Sequence, residues 1–458
     1  MSDAKLGSAV VMGGSLAGLL AARALAIRAE EVVIVERDVL ADEAQPRRGV
    51  PQGRQIHALH ARGLTVMESM LPGLGDDLVA GGAERGDVGI DVQWYVDGLR
   101  RPLVATGTTG ISCSRPLLEQ HVRRKVLAWP NVSVRRANVT GISHSAGRVD
   151  GVLIADRPDG EPGEEGAVDR LAADLVVDAT GRSTRVPTCL AELGYGVVPE
   201  RQIRMDIGYG SRYFRREPGE RLDGAIVALS LASPKSARAR GALVAAIEGD
   251  RWLMMVGGYH HDRPTADTQD FTARALDDPA VVFGKLVQRA EPVSEVLTYR
   301  YPASLRRDYS KLDRFPAGLV PVGDAVASFN PVYGQGMTCA ALYAEQLGAW
   351  LAERPNLDEP ASAYLRRAEK VANSPWDVAA AEDFRLAHVV GDRPRGLAVA
   401  QRVGALFAEA TRRDEQLHAT FLKVISMQAD PTSMMRPGTI VRALRAARRP
   451  LPGPVGRA

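Results

Sequence analysis

The chain has 458 residues, of which 45% are hydrophobic and 25% are charged, and its formal net charge at pH 7 is +3. These values are typical of a globular protein with two or three domains, or with one elaborated α/β unit. The small net charge and the lack of an aromatic-interleaved basic stripe argue against nucleic-acid binding. No apolar run approaches the roughly 20 residues needed to span a bilayer.

The cysteines and the N-terminus bear on the cellular location. Cys113, Cys189 and Cys339 are widely spaced and form no CxxC motif, so no disulfide framework is expected. The N-terminus leads directly into a predicted strand, without the basic, apolar and cleavage regions of a signal peptide. We therefore expect a cytoplasmic protein.

The first predicted elements form a strand–turn–helix–strand unit. Strands are predicted at 8–12 and 32–35 and a helix at 16–27. The turn before the helix consists of Gly13, Gly14, Ser15, Leu16, Ala17 and Gly18. In such units the helix N-terminus faces a diphosphate, and an acid after the second strand, here Glu36, binds an adenosine ribose. Ser15 replaces the middle glycine of G-x-G-x-x-G, and a tight turn without a ligand is the alternative.

A polar, basic loop follows at 45–57 and contains Arg47, Arg48 and Arg54. A guanidinium fork would suit cofactor phosphates, and a solvated charged loop is the alternative. The pair His57-x-x-His60 lacks an acidic third ligand nearby, so no metal is expected.

The next third of the chain contains a second candidate motif. A helix is predicted to begin at Arg115, which could face a phosphate or solvent, with Ser114 as its cap. Strands at 132–143 and 149–155 alternate like a hairpin, and a polar loop follows at 156–166. The predicted strand 171–177 ends in Asp178-Ala-Thr-Gly181, where the backbone can approach a cofactor or a reductant.

The middle of the chain, 203–301, alternates strand-like runs with helical segments near 268–290. Four apolar residues there could form the floor of a lipophilic pocket or belong to the core: Trp252, Met254, Met255 and Phe283. The tail is predicted to be helical at 358–372, 376–390, 394–411 and 413–427. A basic amphipathic helix at 440–449 could contact a membrane surface or lie in solvent.

The third motif lies at 318–337. A short buried strand ends at Gly323-Asp324, Asn330-Pro331 turns the chain, and Gly334-x-Gly336 opens a helix to about Leu351. A carboxylate at a strand end suits a ribose hydroxyl, and glycines at a helix start let backbone amides approach a polarised ring.

In this order and spacing, the three motifs resemble those of the single-component (class A) flavoprotein monooxygenases with the para-hydroxybenzoate hydroxylase fold. The resemblance covers roughly residues 8–350. The segments RRGVPQGRQIHAL and GDAVASFNPVYGQGM are most similar to bacterial epoxidases related to squalene epoxidase, including actinobacterial enzymes that epoxidise polyene precursors of polyether antibiotics.

The resemblance implies an α/β (α+β) fold. A Rossmann-like FAD-binding domain would be formed by residues 1–195 and 306–355. A mostly antiparallel β-sheet substrate domain would be inserted at 196–305, and residues 356–458 would form a C-terminal helical region. No separate nicotinamide domain is expected.

The resemblance also implies roles for individual residues. Leu16 and Ala17 would lie against the FAD diphosphate, which Arg48 and Arg115 would approach. The adenosine end would be held by Glu36, Arg37 and the backbone of Val139. Asp324 would bind the ribityl or diphosphate part, and the isoalloxazine would lie beside Pro331, Gly334, Gly336 and Met337. Asp178, Gly181 and Arg182 would serve both FAD and NAD(P)H.

The activity implied is a monooxygenation. NAD(P)H would reduce FAD, the reduced flavin would trap O2 as a C4a-hydroperoxide, and the distal oxygen would pass to the substrate. Epoxidation of an alkene needs no general base, and no Asp, Glu or His is marked out as one, which favours a hydrophobic polyketide or terpenoid of secondary metabolism as substrate. Aromatic hydroxylation and flavin-dependent alkene reduction of the geranylgeranyl-reductase type are the alternatives. Halogenation is disfavoured because the sequence lacks Trp-x-Trp-x-x-Pro.

Overall fold

The computed structural model describes residues 6–156, 167–231 and 239–450. Apart from Asp156, the polar loop predicted at 156–166 lies outside these residues. The strands are β1 (Leu6–Met12), β2 (Ala29–Glu36), β3 (Glu84–Asp87), β4 (Val92–Val96), β5 (Leu99–Arg100), β6 (Thr109–Ser112), β7 (Val132–Ser145), β8 (Arg148–Asp156), β9 (Val168–Ala172), β10 (Leu175–Asp178), β11 (Glu200–Arg215), β12 (Val227–Leu231), β13 (Gly241–Ile247), β14 (Arg251–Tyr259), β15 (Leu297–Arg307), β16 (Leu319–Pro321), β17 (Ala327–Ser328) and β18 (Val390–Gly391).

The helices include a long apolar pair, α1 and α8, that pack against each other. Their bounds are α1 (Leu16–Ala26), α2 (Ala61–Met70), α3 (Leu74–Ala80), α4 (Arg115–Leu127), α5 (Val186–Glu192), α6 (Thr268–Asp277), α7 (Val281–Arg289), α8 (Gly336–Ala352), α9 (Ser362–Asp383), α10 (Leu397–Ala410), α11 (Glu415–Ile425) and α12 (Pro437–Ala447). Within the described part of the chain, none is long and apolar enough to cross a membrane.

A seven-stranded sheet in the order β16-β10-β1-β2-β7-β8-β9 forms the first layer. Its first five strands are parallel, and the last two pairings are antiparallel. Met12 lies opposite both Asp178 and Val35, and Asp178 lies opposite Pro321. Because parallel strands end at one edge, this register brings the three sequence motifs together at the carboxyl edge of the sheet. The predicted Rossmann-like FAD-domain fold is confirmed.

The strand predicted at 171–177 is divided into β9 and β10. β9 pairs with β8, whereas β10 pairs with β1 and β16. The amide of Asp174, between the two strands, donates to the Ser8 carbonyl at 2.9 Å. The chain therefore changes partners at this point, where Asp174 interrupts the apolar run.

A second, larger sheet has the order β17-β15-β11-β14-β13-β12-β4-β5, with β18 paired to β11. All its pairings are antiparallel except that of β12 with β4, so the expectation of a mostly antiparallel sheet is confirmed. β4 and β5 come from residues 92–100, inside the segment predicted as the first FAD-domain part. β4 pairs with β12 and extends the second sheet, and this pairing was not visible in the sequence. The domain boundaries themselves stay a prediction.

The second sheet has one face packed on α6 and α7 and the other on a cavity. Trp252, Met254 and Phe283 are fully buried in the core beneath those helices, whereas Met255 lines the cavity. Successive side chains of a strand point to opposite faces, so adjacent methionines of β14 are separated in this way. Of the four residues considered for a pocket floor, Met255 alone lines the cavity, and for the other three that interpretation is wrong.

The C-terminal region is helical, as predicted, but its first helix is longer. α9 continues through Pro375, whereas the sequence predicted separate helices at 358–372 and 376–390. Proline costs one backbone hydrogen bond, and the buried residues Ala372, Trp376 and Ala379 on either side hold the helix in place. α10, α11 and α12 share a small core of their own, formed by Phe407, Ala410, Leu417, Ala443 and Ala446.

Candidate active site

A cavity of about 2270 Å³ is lined by residues of both sheets and of the C-terminal helices. Small-molecule sites commonly occupy roughly 300–1,000 Å³, so this cavity has room for a dinucleotide and a substrate together. One part is bordered by the carboxyl edge of the first sheet, and another by apolar side chains of the second sheet and the tail.

The glycine turn after β1 approaches the neighbouring turn closely. Gly13 has a φ of +105°, and a Cβ there would lie 2.7 Å from the Ala179 carbonyl oxygen. Ser15 precedes α1 but makes no side-chain cap, because its hydroxyl donates to Glu119 Oε2 at 3.0 Å. The first amides of α1 are thus left without a side-chain acceptor at the cavity, where an anionic group can take that place.

Glu36 closes this part of the site at the end of β2. Its side chain is buried, its Oε2 accepts from the Gly14 amide at 2.8 Å, and its Oε1 accepts from the Asp38 amide at 2.9 Å. The carboxylate therefore fixes the glycine turn and, since it lines the cavity, can accept from a ribose hydroxyl as well.

Two of the arginines near this turn, Arg47 and Arg115, pair with Glu119, which the sequence interpretation missed. Arg47 forms ion pairs with Glu119, with Glu36 at 3.4 Å and with Asp38 at 3.4 Å. Burial opposes the charge of Arg47, but the carboxylates of Glu119 and Glu36 outweigh it and raise the pKa of Arg47. Arg115 Nη2 donates to Glu119 at 3.2 Å and to the Ser15 hydroxyl at 3.1 Å.

Arg37 and Arg48 both line the cavity, and neither forms an ion pair among the described residues. A cofactor phosphate would therefore meet Arg48 directly and Arg115 through a side chain that already has a carboxylate partner. The i,i+4 spacing of Arg115 and Glu119 on α4 is the sequence signal that could have indicated this pair.

The second turn, after β10, has its carboxylate directed inward. Asp178 is fully buried and accepts from the Thr180 amide at 3.0 Å and the Thr184 hydroxyl at 2.6 Å. Burial raises its pKa. A Cβ at Gly181 would meet no heavy atom beyond its chain neighbours within 4 Å, so this turn opens onto the cavity at Gly181. Asp178 shapes the turn and does not reach the cavity.

Arg182 connects the two sheets at this turn. Its Nη1 donates to the Ser328 hydroxyl at 2.8 Å, to the Ala303 carbonyl at 2.5 Å and to the Tyr301 hydroxyl at 3.1 Å. These bonds hold β15 and β17 of the second sheet against the carboxyl edge of the first.

Asp324 is half-buried, lines the cavity and makes no side-chain hydrogen bond or ion pair among the described residues. Burial raises its pKa, and the more distant charges of Arg115, Arg182 and Arg307 act in the opposite direction. A carboxylate held in this way has its oxygens available to accept hydrogen bonds from a bound polyol.

The Pro331–Tyr333 turn and the start of α8 complete the cofactor side. His60 Nε2 donates to the Tyr333 carbonyl at 2.9 Å, which ties the 51–60 loop to this turn. Gly334 has a φ of +65°, and a Cβ there would lie 2.6 Å from Ala58 Cβ. A Cβ at Gly336 would meet nothing within 4 Å, so the backbone there is open to a ligand.

Most residues that the sequence indicated for the cofactor line the cavity. They are Gly13, Ser15, Leu16, Ala17, Glu36, Arg37, Arg48, Arg115, Val139, Gly181, Asp324, Pro331, Gly334, Gly336 and Met337. The cavity lining does not include Gly14, Gly18, Arg54 and Asp178. Gly14 and Gly18 act inside the turn, and Arg54 is exposed on the loop, where a guanidinium needs no ligand.

A buried polar cluster behind the Pro331 turn was not predicted. Asp383, at the end of α9, is 1% exposed, and its Oδ1 accepts from Asn330 Nδ2 and the Tyr333 hydroxyl, each at 2.8 Å. Its Oδ2 has no partner in the described structure. Burial raises the pKa of Asp383 to about 7. Tyr333, which lines the cavity, thus links it to a carboxyl that can exchange a proton near neutral pH.

One part of the remaining cavity wall is apolar and is called the apolar wall below. Side chains of β4, β12, β13, β14, α10 and α11 form it, namely Trp94, Val96, Leu229, Leu231, Leu243, Met255, Phe407, Phe421, Val424 and Ile425. A lipophilic molecule could lie on this wall while the cofactor occupies the carboxyl edge of the first sheet.

These features fit FAD. The open backbone at Gly181 and Gly336, the uncapped start of α1, the unpaired carboxylate of Asp324 and the unpaired Arg48 match the amide, diphosphate and polyol contacts that a flavin dinucleotide requires. FAD would supply the redox chemistry, and the protein would hold and orient it.

Comparison with known proteins agrees with this architecture. The chain is 34% identical over 429 residues to Protein Rv3254 of Mycobacterium tuberculosis (strain ATCC 25618 / H37Rv), covering 92% of this chain and 89% of that protein. No protein-family model matches.

Three solved structures share the fold at low sequence identity. A flavoprotein/dehydrogenase from Cytophaga hutchinsonii is 12% identical with a TM-score of 0.67, covering 97% of this chain and 98% of that one. A 2-methyl-3-hydroxypyridine-5-carboxylic acid oxygenase is 18% identical with a TM-score of 0.58, and the match covers 90% of this chain and 97% of that one. The flavin-dependent brominase Bmp2 is 15% identical with a TM-score of 0.57, and the match covers 96% of this chain and 92% of that one.

Proposed function

On the premise that the chain belongs to the same family as Protein Rv3254 and has the fold of the class A FAD-dependent monooxygenases, we propose that it is an FAD-dependent monooxygenase. The observation that carries the proposal is one continuous cavity. It joins the FAD-type turns at Gly13, Gly181 and Asp324 to an apolar wall large enough for an organic substrate. NAD(P)H would be the reductant and O2 the second substrate.

The residues of the chain would position the reactants. Glu36 would orient the adenosine end, Arg48 would neutralise the diphosphate, and Asp324 would accept from the ribityl hydroxyls. FAD, once reduced by NAD(P)H, would supply the activation of O2. Pro331 and the backbone of Gly334–Met337 would hold the flavin ring against the apolar wall and exclude water from the site of oxygen transfer.

Epoxidation of an alkene in a hydrophobic polyketide or terpenoid is the first candidate reaction. The wall of Trp94, Leu229, Met255 and Phe421 supports it, because an alkene is bound by apolar surface and needs no base. Such a substrate would place the enzyme in secondary metabolism, for example in antibiotic biosynthesis in the cytoplasm.

Contact of α12 with a membrane surface stays a prediction. Arg442 of this helix pairs with Asp414, while Val441 and Leu444 are exposed.

Aromatic hydroxylation is the second candidate, and the Asp383 cluster favours it. A phenol reacts faster as its phenolate, so it benefits from a proton acceptor. Tyr333 lines the cavity, and its hydroxyl donates to the Asp383 carboxylate, which has a pKa of about 7. Tyr333 could therefore take a phenolic proton while its own proton passes to Asp383. Alkene reduction, which consumes no O2, remains the alternative from another class.

The Asp324→Ala variant is expected to bind FAD roughly 10- to 100-fold more weakly. Loss of a hydrogen bond to a charged group costs about 1.5–3 kcal/mol. The melting temperature of the apoprotein should not fall, because Asp324 has no protein partner to lose. Titration of apoprotein with FAD, followed by flavin fluorescence, measures the effect. Asp313→Ala is the matched control, because Asp313 is exposed, precedes Asp324 in the chain and does not line the cavity; this variant should bind FAD like the wild type.

Oxygen uptake tests the function itself. Purified protein is supplied with FAD and NADPH and with a panel of polyene and phenolic substrates, while O2 and the flavin spectrum are recorded together. We expect substrate-dependent O2 consumption with one oxygen atom in the product, as an epoxide or a phenol. Bleaching of the flavin with alkene reduction and no coupled O2 uptake would assign a reductase. Protein that cannot be reconstituted with FAD would overturn the proposal.

A further inference from the structure

A charged group that the proposed function does not use lies at the apolar wall. Arg101 follows β5, and its amide donates to the Trp94 carbonyl at 2.8 Å. The residue is 7% exposed and lines the cavity. Its guanidinium lies 4.9 Å from the centroid of the Phe421 ring, in the wall formed by β4 and α11.

This guanidinium has no carboxylate partner. Nη1 donates to the Thr411 hydroxyl at 2.5 Å, Nε has no partner, and no ion pair involves Arg101 among the described residues. Glu409, which acts on Arg101 only from beyond ion-pair distance, is paired with Arg412 and Arg413. Burial, aided by the charge of Arg412, lowers the pKa of Arg101 to about 10, so the group remains a cation at neutral pH.

Two further nitrogens close to Arg101 also lack partners. Trp94 Nε1 and His418 Nδ1 are buried and unbonded, and the His418 ring stacks on Phe421 with 6.1 Å between centroids. Burial and the charge of Arg101 lower the pKa of His418 to about 3, so this imidazole is neutral. A buried, unpaired charge is costly in a folded protein, and it persists where a ligand supplies the missing partner.

We propose that Arg101 binds the carboxylate of a long, otherwise apolar substrate. This deepens the proposed function and rests on it for the identity of the cavity as a substrate site. A guanidinium edge matches a carboxylate with two parallel hydrogen bonds. One free cation balances one negative charge, whereas a phosphate dianion would leave a charge uncompensated in this wall.

The position of Arg101 also indicates the length of the substrate. In the second sheet, β15 contacts the cofactor side through Arg182, and β4 carries the Arg101 wall. Five strand intervals separate β15 from β4 in the sheet order. At ~4.8 Å per interval they span at most roughly 24 Å along the sheet. A molecule with its carboxylate on Arg101 and its other end at the flavin side of the cavity would therefore span up to this length.

Binding of a matched pair of probes tests the assignment. Oleate and oleamide have the same chain and differ in the charge of the head group. Their dissociation constants are measured on the oxidised holoenzyme, without NADPH, from tryptophan fluorescence and from the flavin absorbance. We expect oleate to bind at least tenfold more tightly than oleamide. Arg101→Met should abolish the preference, and Arg101→Lys should retain part of it.

Arg100→Met is the matched control, because Arg100 is the adjacent, exposed residue and does not line the cavity. It should keep the wild-type preference. Because no turnover is involved, the result is independent of the proposed monooxygenase activity. A carboxylate preference in a protein that consumes no O2 would retain the Arg101 assignment and remove only the activity.

Thermal stability distinguishes a ligand-binding role from a structural one. Arg101→Met replaces an unpaired buried charge by an apolar side chain, so the melting temperature of the substrate-free holoenzyme should stay level or rise. If Arg101 served only to hold Thr411, the melting temperature would fall and the oleate preference would persist. That result would overturn the proposal. Equal binding of the two probes by the wild type, or binding of neither up to its solubility limit, would do so too.

Discussion

The Gly18→Ala variant is expected to lose most of its FAD and to unfold at a lower temperature. A Cβ at Gly18 would lie 1.8 Å from the Gly13 carbonyl oxygen and 3.3 Å from Val11 Cγ1. The clash is with the backbone of the glycine turn itself, so α1 would have to move away from β1. Overpacking of this kind costs about 1–3 kcal/mol or more. Displacement of the turn would also weaken FAD binding by 100-fold or more.

Gly348→Ala is the matched control for this variant. Gly348 lies in α8, and a Cβ there would contact Ala24 Cβ at 3.7 Å, an ordinary packing distance. Alanine is favoured over glycine in a helix by roughly 0.5–1 kcal/mol, so this variant should be as stable as the wild type or more so. For both variants, the ratio of flavin to protein after purification measures FAD binding, and the melting temperature measures stability. Wild-type flavin content in Gly18→Ala would show that the turn does not bind the diphosphate.

The Asp383→Asn variant is expected to become more stable than the wild type as the pH rises. The pKa of Asp383 is about 7 in the folded protein, against an ordinary value of 3.8. Between these values the folded protein retains a proton that the unfolded chain has released, so the free energy of unfolding of the wild type falls as pH increases through this window. The two pKa values differ by about three units, which corresponds to a loss of roughly 4 kcal/mol in the free energy of unfolding of the wild type. Asparagine can accept the bonds from Asn330 and Tyr333 without a charge.

The measurement is the free energy of unfolding of both proteins from pH 4 to pH 8. The difference between them should grow across this range and become constant above about pH 7. Asp308→Asn is an informative control because Asp308 pairs with Arg201 at 3.0 Å and Arg306 at 2.9 Å. Burial acts to raise its pKa, but Lys311, Arg201 and Arg306 outweigh it and lower the pKa of Asp308. Its variant should therefore be less stable than the wild type at neutral pH. A pH-independent difference for Asp383→Asn would contradict the assignment.

The sequence predicted the parts of the site that are local in the chain. The turns at Gly13, Gly181 and Asp324 each follow a parallel strand, and parallel strands end at a common edge. Once the strands at 8–12, 171–177 and 318–322 were identified, their proximity followed. The start of α4 was also predictable, because the Ser114 hydroxyl accepts from the Leu117 amide at 3.2 Å as a local cap.

The sequence did not predict contacts between distant segments. Glu119 meets Arg47 across 72 residues, and Asp383 meets Asn330 across 53. Arg101 meets Thr411 across 310 residues. None of these pairs lies in a recognisable motif, because each depends on how whole elements pack. The addition of β4 to β12 and the continuation of α9 through Pro375 have the same origin, since tertiary packing outweighed the local signal.

The separate core of α10, α11 and α12 makes the tail an exchangeable part of the molecule. These helices supply Phe407, Phe421, Val424 and Ile425 to the apolar wall, yet they are held together mainly by their own small core. Substitutions in the tail can therefore change the shape of the wall while α1, α8 and the first sheet stay intact. If the proposed function holds, selection or the construction of chimaeras could in this way alter which molecules the protein accepts and leave the cofactor side of the cavity unchanged.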